Sequence, residues 1–67
     1  MSSWESMKRK VLSLVPAADR TMLSQIGLVN LAFFKYEIQP YMTLRILAEL
    51  IKESKVYEPR ESFYRKV

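Results

Sequence analysis

Eleven Lys and Arg side chains face seven Asp and Glu in this 67-residue chain, with no His and no Cys. That inventory removes imidazole acid–base chemistry, thiol nucleophiles and the ligands zinc prefers. Glu49 and Glu53 lie four apart and would share one side of a helix, but both have basic neighbours and suit a solvated face. There is one Gly, and so no glycine-rich phosphate loop. No catalytic residue, no metal and no other cofactor is expected. What remains able to act is the cations and the aromatic groups beside them.

The charge is unevenly placed. Lys8, Arg9 and Lys10 against Glu5 leave the first 15 residues at +2, and Lys55, Arg60, Arg65 and Lys66 against Glu58 and Glu61 leave the last 13 at +2. The segment between is neutral, so the whole +4 sits at the two ends. Phosphate contact needs such a surplus, because affinity for nucleic acid is largely electrostatic. Lys8, Arg9, Lys10, Lys55, Arg60, Tyr64, Arg65 and Lys66 are therefore the candidate nucleic-acid residues, DNA or RNA. A solvated helix face is the plainer account of the Lys8–Lys10 run, and three charges are few for a membrane surface.

The elements that would position them read as helices. Ser2-Ser3-Trp4-Glu5 fits a capping box, followed by Trp4, Met7, Val11 and Leu14 at helical spacing until Pro16 ends the segment. This places a first helix at about 3–14. A second, at about 18–36, has Asp19 in its first turn and a stripe of Met22, Ile26, Val29, Phe33 and Tyr36. Gly27 would let another helix approach it closely. After Pro40 a third helix, about 43–54, would start at Thr43 as N-cap and turn Leu44, Leu47, Ala48 and Ile51 inward, with Arg45 and Glu49 as a surface pair. Pro59 at a first helical position would open a fourth, about 59–66, with Phe63 and Val67 inward. The expectation is one all-α domain, a bundle of three or four helices with a helix-turn-helix-like C-terminal half and no wing.

A hydrophobic fraction of 49% is high for so short a chain, and short chains bury only about 60% of their unfolded surface. Apolar groups left outside mark a protein interface. Trp4, Phe34, Tyr41, Ile46 and Leu50 are the candidates. Asn30, inside the apolar run from Ile26 to Phe34, is either a satisfied buried amide or a specificity device at a helix contact. That run is far short of the roughly 20 residues a membrane span needs. Absence of Cys argues against a disulfide-rich secreted module, so a cytoplasmic protein is expected.

The segment Met42–Val67, MTLRILAELIKESKVYEPRESFYRKV, resembles the winged-helix and helix-turn-helix class, over roughly residues 23–67. In that resemblance MTLRILAEL is the second helix and PRESFYRK the recognition helix, with Arg60, Ser62, Tyr64 and Arg65 around an inward Phe63. The turn lacks the usual Gly, and the chain ends too soon after PRESFYRK for a wing to follow. In size and residue usage the whole chain is also similar to the small basic accessory subunits of crenarchaeal family-B replicative DNA polymerases. That similarity implies a non-catalytic subunit docked on a larger nucleic-acid-processing protein, supporting its activity or stability. The alternative is a free helix-turn-helix regulator that dimerises, because a single module has a small footprint.

Overall fold

A computed structural model describes residues 3–17 and 22–67. Ser2 of the expected capping box and Asp19, expected in the first turn of the second helix, lie outside them, as does the stretch 18–21 of that helix. The element order is α1 (Trp4–Leu14), β1 (Leu23–Ser24), α2 (Gln25–Tyr36), α3 (Pro40–Lys52), β2 (Val56–Arg60) and β3 (Phe63–Lys66). The strands form one antiparallel sheet in the order β1-β3-β2. The all-α expectation is thus corrected: the chain is an α+β domain, and the segment expected as a fourth helix is a β-hairpin.

The hairpin has clear physical causes. Val56, Tyr57, Phe63 and Tyr64 are β-branched or aromatic residues that suit a pleated surface. Pro59 does not open a helix; it stands in β2, the edge strand, where its missing N–H costs no ladder bond. Glu61 and Ser62 make the turn, Ser62 at φ 65°, and a register shift between Tyr57 and Arg60 accommodates it. The Glu58 carboxylate accepts from Ser62 N–H at 2.6 Å across the same turn.

Helix starts also differ from expectation. Ser3 caps α1, its hydroxyl accepting from Ser6 N–H at 3.1 Å. Pro40 is the first residue of α3, a position where a missing donor is harmless, so the helix starts three residues before Thr43. Thr43 is fully buried instead of capping. Ser24 caps α2 by accepting from Gly27 N–H at 3.0 Å. A Cβ on Gly27 would stand 3.1 Å from Ser24 Oγ and 3.2 Å from Leu23 Cδ1, so this glycine accommodates its own cap, not a second helix.

Val11, Val15, Leu28, Ala32, Ile38, Ile46, Leu47, Leu50, Val56 and Tyr64 form the core between the three helices and the sheet. This fixes the inward faces. On α2 it is Leu28 and Ala32 that face in, while Ile26 and Phe33 of the expected inward stripe are exposed. On α3 the inward set is Thr43, Ile46, Leu47 and Leu50, leaving Leu44, Ala48 and Ile51 outside.

Candidate nucleic-acid interface

Helix α2 ends at Glu37, which adopts the left-handed conformation (φ 57°, ψ 33°) that a glycine would usually supply. Its N–H donates to the carbonyls of Ala32 and Phe33, and that of Ile38 to Ala32 at 3.2 Å. Ile38 then drops into the core and α3 begins at Pro40. The two helices are joined by only Glu37-Ile38-Gln39, so the tight break between consecutive helices lies N-terminal to the one expected within residues 42–67. A two-stranded hairpin follows the second helix, so the expectation of no wing is corrected as well.

The outward face of α3 carries Tyr41, Arg45, Ala48 and Lys52 at intervals of four, three and four, flanked by exposed Leu44 and Ile51. Arg45 and Lys52 stand on the same edge of this face. Neither has an ion-pair partner among the described residues, and the expected Arg45–Glu49 pair does not form. Neither was among the expected nucleic-acid cations, Arg45 being assigned to the surface pair, although their seven-residue spacing on one helix was the available signal.

The expected cations divide by what already holds them. Lys8 lies on the inward side of α1, its side chain 7% exposed, 2.5 Å from Glu53 Oε2 and 3.8 Å from Glu5. Glu53 accepts this bond and holds the Lys8 ammonium pKa above its ordinary value, while Lys8 holds the Glu53 carboxyl below its own. Lys8 is thereby withdrawn from phosphate contact. Lys55 shares the other Glu53 oxygen at 3.6 Å. Lys10 sits over the Tyr36 ring, 5.6 Å from its centroid, and Arg9 is exposed on α1. Arg60 lies over the Phe63 ring beside the hairpin turn. Arg65 Nη1 donates to the Tyr57 hydroxyl at 3.4 Å. The backbone N–H of Lys66 donates to the Pro16 carbonyl at 2.7 Å, which ties β3 to the chain after α1.

Tyr64 is in the core, 7% exposed, and its hydroxyl donates to Gln25 Oε1 at 3.0 Å. Burial, with Glu58 nearby, raises its pKa, so it serves the structure and is not presented to a ligand. Of the expected protein-facing residues, Phe34 is 82% and Tyr41 63% exposed, whereas Trp4 packs against the core. Ile46 and Leu50, expected at an interface, are fully buried, because the inward side of α3 is turned away from the one its pattern implied.

No group of His, Cys, Asp or Glu among the described residues is arranged to hold a metal ion. Among the same residues, no helix is long and apolar enough to cross a membrane. Comparison with protein-family models, curated proteins and solved structures finds no match.

Proposed function

We propose that this chain is a non-catalytic, cytoplasmic module that binds duplex DNA in the manner of a winged helix, α3 facing the groove and the β2–β3 hairpin serving as wing. The supporting observation is the outward face of α3, where Arg45 and Lys52 are exposed beside Tyr41 and Ala48 and have no ion-pair partner among the described residues. A major groove admits one α-helix, an Arg can bond a guanine edge in two places, and Ala or Leu can meet a thymine methyl. Arg60 at the wing turn and Lys66 would add backbone contacts, which position without specifying.

With about three to five phosphates neutralised, the affinity should fall with salt at a logarithmic slope of about −2.7 to −4.5. Fluorescence anisotropy of a labelled duplex across a salt series tests this. Saturable binding with that slope, stronger for duplex than for single strand, supports the reading. No binding at low salt, or equal binding of single strands, contradicts it.

A second reading is favoured by a different observation. Phe34 at 82% and Ile26 at 74% exposure stand on the outer side of α2. On that reading the chain docks on a larger nucleic-acid-processing protein, such as the DNA polymerase whose small accessory subunits its residue usage resembles.

A further inference from the structure

On α2, Ile26, Asn30, Phe33 and Phe34 occupy one outward side, at intervals of four, three and one. The run 21–34 is also the longest in the chain without a charged residue. A chain of net charge +4 repels its copies wherever cations face each other, and this surface is where that repulsion is absent. The arrangement is nearly symmetric about Asn30. Ile26 and Phe33 lie on one flank of the face, Gly27 and Phe34 on the other.

We propose that the α2 face binds the α2 face of a second copy, antiparallel, with the two-fold axis passing at Asn30. An isologous contact of this kind sets each flank of the helix against the same flank of its copy. Phe33 of each protomer then meets Ile26 of the other, and Phe34 lies across the first turn of the other's α2. The two Asn30 amides meet at the axis, where one can donate to the other. A lone Asn in an apolar helix contact fixes register at some cost in stability.

The four side chains expose on the order of 500 Å² per copy, judged from typical side-chain areas. About 1,000 Å² in total is the low end of specific interfaces, which implies a concentration-dependent dimer. The contact uses none of the outward residues of α3, so the pairing does not depend on DNA binding and is read without DNA.

Sedimentation equilibrium of the full chain over a range of concentrations tests the proposal. The wild type should move from monomer to twice the monomer mass. Asn30→Lys and Phe34→Glu, both on exposed positions, should remain monomeric with unchanged circular dichroism. Asn30→Leu removes the central polar pair and should dimerise at least tenfold more tightly. A wild type that is monomeric at every concentration overturns the proposal, including the case where it instead forms a one-to-one complex with a larger protein. A dimer that Phe34→Glu leaves intact overturns the assignment to α2.

Discussion

The ammonium of Lys8, on the inward side of α1, is hydrogen-bonded to the Glu53 carboxylate at the C-terminal cap of α3, 45 residues away in sequence. The bond anchors the end of the helix that presents Lys52 and removes one member of the basic run that looked available to phosphate. The pair is strongly pH-limited at both ends. Glu53 is held below its ordinary 4.5, so its contribution is complete above that value and is lost as pH falls through the lowered one. Lys8 is held above its ordinary 10.5, so its contribution is complete below that value and is lost as pH rises through the raised one. Thermal melts of wild type and Lys8→Met should differ by a constant interval at intermediate pH, and the interval should close in acid and in strong base. An interval that persists undiminished into acid would refute the pairing.

Ile46 and Leu50 are fully buried on α3. Either one changed to Ala should cost about 2–5 kcal/mol, enough to threaten folding in so small a domain. Arg45→Ala, one residue away on the exposed side, should stay within about 0.5 kcal/mol of wild type. Urea unfolding of the three variants compares them directly. Equal losses would mean that α3 is turned differently.

Tyr64→Phe removes the hydroxyl that joins β3 to Gln25 at the start of α2. The expected loss is about 0.5–1.5 kcal/mol, the net value of one such bond with its partner left free. Hydrogen exchange should show faster opening at the first turn of α2 and at β3. Protection unchanged in both would show that the bond contributes nothing to their docking.

Ser62 holds φ 65° in the hairpin turn. Ser62→Gly should be tolerated, whereas Ser62→Val should lose roughly 1–2 kcal/mol, because a Cβ-branched side chain is strained there. If both variants melt alike, the turn does not have this form.

The first helix was readable almost to the residue, because Pro16 stops it and Trp4, Met7 and Val11 mark its inward side. The end of α2 near Tyr36 was readable too. The face of α3 was not: Leu44, Ile46, Leu47, Leu50 and Ile51 spread over nearly half of the helix, so spacing alone did not choose which part of that arc turns inward. Burial of Thr43 and exposure of Leu44 settle that only in the packed molecule. The hairpin was misread because Phe63 and Val67 are four apart and Pro59 suits a helix start. The same segment satisfies strand pairing once β1 offers Leu23 and Ser24 as partners for β3. Because that pairing spans about 40 residues, no local pattern reveals it. With the hairpin misread, the tight break between helices was placed too far toward the C-terminus, and Arg45 and Lys52 were left out of the candidate cations.

On the proposed reading, α3 meets DNA through its outward edge. The most direct measurement is duplex binding by the Arg45→Ala/Lys52→Ala double variant, with Arg9→Ala on α1 as control, compared at low salt and then across a salt series. All three proteins should fold alike. The double variant should bind at least tenfold more weakly, with a salt slope shallower by about two, and Arg9→Ala should match wild type. A double variant that binds as wild type does, or an Arg9→Ala loss of equal size, would contradict the assignment.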